Sequence, residues 1–122
     1  MRGKIKAPFM LLLSLLRFRK GEEATKMLEN KFQAMLIQKI KNIFPGCIVM
    51  KNDSSYIQGI PDLLILHNDK WASLECKKTA NAKKQPNQEY YVGRMNEMSF
   101  SRFICPENME EVLDELRESF QA

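Results

Sequence analysis

The sequence predicts an α/β fold in which a mixed four-stranded sheet is flanked by helices, with the elements in the order α-β-β-β-α-β-α. Three observations lead to this prediction. Apolar residues recur at helical spacing in two long stretches, two strand-like runs are separated by a short polar turn, and other short apolar runs lie beside the helical stretches. With 44% apolar and 28% charged residues among 122, the composition is that of a globular domain.

The first helix is predicted over about residues 25–44. Its apolar stripe consists of Leu28, Phe32, Met35, Leu36, Ile40 and Ile43. Pro45 and Gly46 end this helix, because neither residue favours its continuation. The apolar run at residues 47–51 then predicts the first strand, and the polar residues 52–59 predict a loop.

Two further strands are predicted around a tight turn. They are "PDLLIL" (residues 61–66) and "WASLECK" (residues 71–77), and Asn68-Asp69 between them is an acceptable pair for a two-residue hairpin turn. With this turn, Trp71 is expected to pack in the core and not to serve as a platform for stacking bases.

The remaining elements follow a basic, turn-rich loop at residues 78–88. A second helix is predicted over about residues 87–98, and a short strand at residues 101–106. Pro106 suits the first turn of a final helix. The apolar face of that helix is formed by Met109, Val112, Leu113, Leu116 and Phe120. Its outer face is acidic, so we expect it to point away from any nucleic acid.

The charge is distributed unevenly along the chain. The net charge is +4, but residues 1–51 carry +8 and residues 52–122 carry −4. A basic half of this kind indicates a polyanionic partner such as a nucleic acid. The alternative is a basic surface that is merely solvated.

The cysteines and the histidine do not indicate a zinc site. Cys47, Cys76 and Cys105 are odd in number and far apart, and none lies at a spacing typical of zinc ligands. We therefore expect reduced, buried thiols, as in a cytoplasmic protein. His67 is the single histidine, and its place beside the predicted turn argues against a role as a metal ligand.

Residues 1–24 are expected to form a basic and apolar arm preceding a domain of residues 25–122. The run "FMLLLSLL" (residues 9–16) is too short to span a bilayer, and "RFRK" follows it where a signal peptide would need a cleavage pattern. No membrane association is therefore expected. The arm should pack either on its own domain or on a second copy of the chain.

The predicted hairpin places three charged residues on one face. Asp62 should face Glu75 across the two strands, with Cβ atoms about 4.5–5.5 Å apart, and Lys77 should lie two residues further along the same face. Two opposed carboxylates repel each other unless a cation lies between them, and Mg²⁺ favours one or two carboxylates with water or phosphate oxygens. The alternative is a solvated face on which Lys77 neutralises Glu75, or a strand slip by one residue.

Pro61-Asp62 and Glu75-Cys76-Lys77 resemble the signature of the PD-(D/E)xK nucleases. The "G-x-PD" start at Gly59 is similar to that of the VRR-NUC (virus-type replication-repair nuclease) family. Two other residues match the glutamine and the N-terminal acidic position of the family, namely Gln88 and Glu29. The resemblance covers about residues 25–120 and implies a restriction-endonuclease-like core with Mg²⁺- or Mn²⁺-dependent cleavage of DNA.

The resemblance also implies roles for the residues at the site. Asp62, Glu75 and the backbone carbonyl of Cys76 would bind the metal, and Lys77 would position the attacking water. A second group would support them: Glu29 would orient a water at the metal or hold a second cation, and Gln88 would support the site or contact DNA. Gln85 competes with Gln88 for the glutamine role, and Glu22 and Glu23 compete with Glu29. Gln88 and Glu29 could instead be an ordinary surface cap and an ordinary helix charge.

Lys78, Lys83 and Lys84 follow the site and are expected to bind DNA phosphates, unless their loop is only solvated. The expected function is therefore a metal-dependent endodeoxyribonuclease selective for branched DNA, resembling a Holliday-junction resolvase. Small stand-alone members of the family resemble phage-encoded enzymes that act as dimers on branched DNA. The resemblance therefore implies a homodimer without a small-molecule cofactor, located in the host cytoplasm if the gene is phage-encoded. The alternatives are a less selective nuclease that degrades or nicks DNA and a non-catalytic module that binds nucleic acid.

Overall fold

The computed structural model describes residues 26–122. The described part of the first helix, α1, covers residues 26–43. The remaining elements are β1 (Ile48–Lys51), β2 (Leu63–His67), β3 (Lys70–Cys76), α2 (Gln88–Met98), β4 (Phe100–Ile104) and α3 (Met109–Gln121). This is the predicted order of helices and strands, and the predicted α/β fold with a mixed four-stranded sheet is confirmed.

The sheet has the strand order β1-β2-β3-β4. β1 and β3 are antiparallel to β2, whereas β3 and β4 are parallel and are connected through α2. His67 pairs with Lys70 and Leu63 pairs with Leu74, which is the register that a two-residue turn at Asn68-Asp69 requires. Asn68 adopts a positive φ of 55°, a conformation that asparagine tolerates better than most residues.

Helices α1 and α3 cover one face of the sheet, where the main core lies. The core side chains are Phe32, Leu36, Ile40, Phe44, Leu63, Ile65, Ala72, Leu74, Cys76, Phe100, Ile104, Val112, Leu113 and Leu116. Each large one contributes about 1.5–3 kcal/mol by leaving water. Helix α2 lies against β3 and β4; its Val92 is buried and its Met95 sulfur accepts a hydrogen bond from the Ser73 hydroxyl (3.6 Å).

Two side chains of the predicted α1 stripe are not in the core. Leu28 is 59% exposed and Met35 is 45% exposed, whereas Phe32, Leu36 and Ile40 are buried. The buried stripe of α1 is therefore narrower than the apolar periodicity indicated, and the helix also leaves Met27 exposed.

Three other predictions need correction. Trp71 does face Leu66, but it is half-buried and lies outside the core cluster. The fourth strand begins at Phe100 and ends at Ile104, earlier than predicted. Pro106 lies in a turn before α3 and not in its first helical turn, because Asn108 closes that turn: its N–H donates to the Cys105 carbonyl (3.2 Å) and its Oδ1 accepts from the Cys105 N–H (2.8 Å).

The predicted N-terminal arm, residues 1–24, lies outside the described residues. Among the helices of residues 26–122, none combines the length and the apolar character needed to cross a membrane.

Candidate active site

The chain segment that carries Pro61 and Asp62 is held in place from two sides. On one side, the Asn52 side chain donates to the Pro61 carbonyl (2.8 Å) and the Asn52 N–H donates to the Asp62 carbonyl (2.8 Å). On the other side, Gly59 is buried with φ +89° directly beneath the turn that precedes α2. A Cβ on Gly59 would lie 2.6 Å from the Asn87 carbonyl carbon and 2.7 Å from the Pro86 carbonyl oxygen. The glycine is therefore required for close approach as well as for its backbone conformation.

Asp62 immediately precedes β2, and its carboxylate extends to β3. The Cys76 N–H donates to Asp62 Oδ2 (2.9 Å). The paired residues of β2 and β3 end at Leu63 with Leu74, so the next position along the two strands places Asp62 opposite Glu75. The predicted register of the hairpin is therefore confirmed, and the two carboxylates lie next to each other at the end of the sheet.

Glu75 is 3% exposed, which is unusual for a carboxylate. Its Oε2 accepts a hydrogen bond from Gln88 Nε2 (3.0 Å) and lies 3.9 Å from Lys77 Nζ. Its Oε1 is buried and receives no hydrogen bond from any residue of the 26–122 range. A buried carboxylate oxygen without a donor is costly. In the metal-free protein a proton shared with the adjacent Asp62 carboxyl group offsets this cost, and a bound cation could take the place of that proton.

Lys77 is also buried, with 8% exposure, and its ammonium group is held by two oxygens. Its Nζ donates to Gln88 Oε1 (2.7 Å) and to the Lys83 carbonyl (3.1 Å). Gln88 therefore bridges Lys77 and Glu75 with the two ends of one amide. Its Oε1 also accepts from the Gln85 N–H (2.7 Å), whereas the Gln85 side chain is exposed. Of the two glutamines, Gln88 is the one in contact with the acidic pair.

Replacement of Gln88 provides a test of this bridge. For the DNA cleavage that the family resemblance predicts, Gln88→Ala should lower the rate about 10- to 100-fold, as loss of a group that supports a metal ligand does. Gln85→Ala is the matched control, because it keeps the backbone N–H and removes only an exposed side chain. Cleavage rates measured under single-turnover conditions check this prediction, and equal rates for the two variants would contradict it.

The burial of the acidic pair changes its titration. Burial, followed by the neighbouring Asp62 charge, raises the pKa of Glu75 to about 8. Burial also raises the pKa of Asp62, although the hydrogen bond from the Cys76 N–H acts in the opposite direction. Without a cation the pair therefore retains a proton at neutral pH. Burial also raises the pKa of the thiol of Cys76, the residue after Glu75, so this cysteine is a neutral core residue.

The donor set at this position fits a divalent cation of the Mg²⁺ type. Asp62 and Glu75 provide two carboxylates, Glu75 Oε1 lacks any other partner, and the charge of a cation would replace the retained proton. The Cys76 carbonyl follows Glu75 at the end of β3. No cluster of three or more His, Cys, Asp or Glu side chains suited to a metal occurs among residues 26–122, so water and phosphate oxygens would have to complete the coordination.

Glu29 does not join this pair directly. It is half-exposed on α1 and acts electrostatically on the Cys76 thiol, to which the Gln33 side chain is hydrogen-bonded. Glu29 and Gln33 thus approach the end of β3 from the core side of the sheet, one helical turn apart. Neither Gln33 nor Asn52 is predicted from the sequence. For Gln33, the only signal is its position four residues after Glu29. Glu22 and Glu23 lie outside the described residues.

The three lysines predicted to contact DNA differ in their surroundings. Lys83 and Lys84 are exposed on the loop before α2, and Lys84 Nζ lies 3.9 Å from Glu89 Oε1 and 4.5 Å from the centre of the Phe103 ring. Lys78 is half-buried just after β3. His67 has a packing role, because its ring contacts the rings of Phe44 and Phe120, with ring centres 5.3 and 5.8 Å apart.

The chain was also compared with known proteins. No family model, no curated protein and no solved structure matches it.

Proposed function

We propose that the chain is a metal-dependent endodeoxyribonuclease of the PD-(D/E)xK type, similar to the VRR-NUC family, and that it acts on branched DNA as a Holliday-junction resolvase does. One observation carries this proposal: Glu75 Oε1 is buried beside Asp62 without a hydrogen-bond donor in residues 26–122. A carboxylate arranged in this way reduces the stability of the fold, and a cation-binding role accounts for it.

Each residue of the site has its own role in the proposed reaction. A divalent cation held by Asp62 and Glu75 would offset negative charge on the scissile phosphate and make a nearby water more acidic. Lys77 Nζ would hold the attacking water and stabilise charge that develops on the phosphate oxygens. The water oxygen bonds to phosphorus and gives a proton to solvent, the bond to the leaving nucleotide oxygen breaks, and that oxygen takes up a proton from solvent. Gln88 keeps the Lys77 ammonium group aligned through its 2.7 Å hydrogen bond.

The decisive experiment is a cleavage assay with a labelled four-way junction and a linear duplex of the same sequences. The full chain is incubated with each substrate in Mg²⁺, in Mn²⁺ or in EDTA. We expect cleavage of the junction with either metal and none in EDTA. Equal cleavage of both substrates would favour the less selective nuclease, and binding of either substrate without any cleavage would favour a non-catalytic module. The set of Asp62 with the buried Glu75 and Lys77 argues against that module, because binding alone does not require two adjacent carboxylates.

The exposed lysines of the loop before α2 support a DNA-binding role. Lys83→Ala combined with Lys84→Ala should weaken binding for all sequences, because phosphate contacts carry no sequence information. The slope of log K against log salt should become shallower by about 0.9 for each contact that is lost. Lys41→Ala, an exposed lysine near the end of α1, is the control and should leave the slope unchanged. An unchanged slope in the double variant would show that this loop does not contact phosphates.

The proposed enzyme acts in the cytoplasm. It is a homodimer, because two symmetrical cuts across a junction require two sites related by a two-fold axis. Exposed apolar side chains support an interface: Leu28 on α1 is 59% exposed, and Ile48 and Met50 on the edge strand β1 are 58% and 47% exposed. Light scattering should give the mass of two chains for the full sequence. A chain shortened to begin at Gly21 should become monomeric if the N-terminal arm forms the interface, and a full chain that is monomeric while resolving junctions would contradict the dimer.

A further inference from the structure

Two tyrosines beside the candidate active site are exposed to solvent to an unusual degree. Tyr56 is 86% exposed and Tyr90 is 63% exposed. Tyr56 lies in the loop that leads to Gly59 and Asp62, and Tyr90 lies in the first turn of α2, two residues after Gln88. Each tyrosine therefore belongs to a segment that contains a residue of the site.

The two segments meet each other. Gly59 is so close to Asn87 that a single added carbon would overlap with its backbone. Tyr56 is three residues before Gly59, and Tyr90 is three residues after Asn87. Each tyrosine is thus three residues along the chain from the contact that joins the Asp62 segment to the start of α2.

The loop that carries Tyr56 is ordered by its own hydrogen bonds. The Asp53 carboxylate accepts from the Ser55 N–H (2.9 Å) and from the Ser55 hydroxyl (2.6 Å), and the Tyr56 N–H donates to the Asp53 carbonyl (3.2 Å). These bonds fix the backbone at Tyr56 while its ring remains in solvent. Because this backbone is already ordered, binding a partner at the Tyr56 ring adds little entropy cost from the loop itself.

Tyr90 lines an open cleft together with basic and polar residues. The cleft is formed by Lys83, Lys84, Gln85, Pro86, Asn87, Glu89 and Tyr90. The Tyr90 ring also contacts Tyr91 edge to face, with ring centres 5.0 Å apart. An aromatic surface next to lysine side chains is the combination that binds single-stranded nucleic acid, in which a ring stacks on a base while cations contact the phosphates.

We propose that Tyr56 and Tyr90 stack on unpaired bases next to the scissile phosphate, and that they select DNA with unpaired bases over continuous duplex. The inference rests on the proposed nuclease function and specifies its substrate. Bases inside a duplex have no free face for a tyrosine ring, whereas bases at a branch, gap or end do. The tyrosines therefore provide a basis for selectivity that the lysines alone, which contact phosphates in any DNA, do not.

The test measures binding without cleavage. Affinities are determined in EDTA by fluorescence anisotropy, for a gapped duplex and for a continuous duplex of the same length and sequence. The quantity of interest is the ratio of the two affinities. For the wild-type chain the ratio should favour gapped DNA, and each of Tyr56→Ala and Tyr90→Ala should reduce it about tenfold, the usual effect of losing one base-stacking ring.

Two kinds of control separate stacking from a structural effect. Tyr56→Phe and Tyr90→Phe keep the ring and should keep the ratio. Met98→Ala removes an exposed apolar side chain (57% exposed) at the other end of α2 and should leave it unchanged. In addition, 2-aminopurine in the gap should change its fluorescence on binding to the wild-type chain, and this change should be lost in the double alanine variant.

The outcomes distinguish this inference from the nuclease itself. A ratio that is unchanged in Tyr56→Ala combined with Tyr90→Ala would overturn the inference. If the wild-type chain still cleaves DNA with Mg²⁺ in that case, the proposed function stands. A wild-type chain that cleaves no DNA removes the proposed function, and the inference falls with it.

Discussion

Glu75→Gln should abolish DNA cleavage and at the same time stabilise the metal-free protein. Glutamine retains the size and the polar atoms of the side chain but cannot carry the charge that a cation needs. The cleavage rate should fall by about 10³-fold or more, since the metal contributes several kcal/mol of charge stabilisation. DNA affinity should change little, because it arises mainly from phosphate contacts elsewhere. A variant that cleaves like the wild type would contradict the assignment of the site.

The stability effect of Glu75→Gln depends on pH in a defined direction. In the unfolded chain Glu75 titrates near its ordinary value of 4.5, whereas in the folded protein its pKa is about 8. Between these values the folded state binds a proton that the unfolded state does not, so the stability of the metal-free wild type falls as pH rises through this window. Above the window the glutamine variant should be more stable by at least ~1 kcal/mol, or about 5 °C in Tm.

Thermal unfolding of both proteins in EDTA, at pH values below, within and above this window, measures the difference. Addition of Mg²⁺ should raise the Tm of the wild type and have little effect on Glu75→Gln. Near neutral pH, calorimetry in buffers of different ionisation enthalpy should detect the proton that the wild type releases on binding Mg²⁺. A pH-independent Tm difference would show that Glu75 is not protonated in the folded metal-free protein.

The second large effect is expected for Gly59→Ala. The added carbon would lie 2.6–2.7 Å from backbone and side-chain atoms of Asn87 and from the Pro86 carbonyl oxygen, and backbone atoms cannot move aside as a flexible side chain can. The variant also forces alanine into a φ of +89°. Together these effects should destabilise the protein by about 3–4 kcal/mol. The turn before α2 must shift, which displaces Gln88 and should lower the cleavage rate about 100-fold.

Gly46→Ala is a matched control for the backbone part of this effect. Gly46 has nearly the same φ, +87°, but an added carbon there meets nothing within 4 Å. This variant should lose only about 1–2 kcal/mol and keep its cleavage rate. Urea unfolding of the two variants gives the stability difference directly. Equal losses for both variants would indicate that the contact between Gly59 and Asn87 does not constrain the site.

The hairpin and its charges could be predicted from the sequence because they depend on local rules. A two-residue turn at Asn68-Asp69 fixes the register, and the register places Asp62 opposite Glu75. The placement of Gln88 next to Glu75 required a contact between distant segments, and only the resemblance to a known family had suggested it. The packing of Gly59 beneath Asn87 could not be predicted, because it depends on the path of the basic loop across the end of the sheet.

Two errors in the sequence analysis also have physical causes. The apolar stripe of α1 was predicted too wide because periodicity does not show how much of a helix its neighbours cover; Leu28 and Met35 remain in solvent. The start of α3 was placed at Pro106 because proline often begins a helix, but Asn108 uses its side chain and its backbone to close a separate turn first.

The hydrogen bond from Lys77 to residue 83 has a consequence for how such a protein can be altered. The acceptor is the main-chain carbonyl of Lys83, so the identity of the side chain at that position does not affect the bond. Mutation of the Lys83 side chain can therefore weaken DNA binding while the Lys77 ammonium group keeps this hydrogen-bond partner. DNA affinity and the position of the Lys77 ammonium group are thus separable at residue 83, and variants that differ only in this side chain should differ in DNA affinity while keeping the same cleavage rate at saturating DNA.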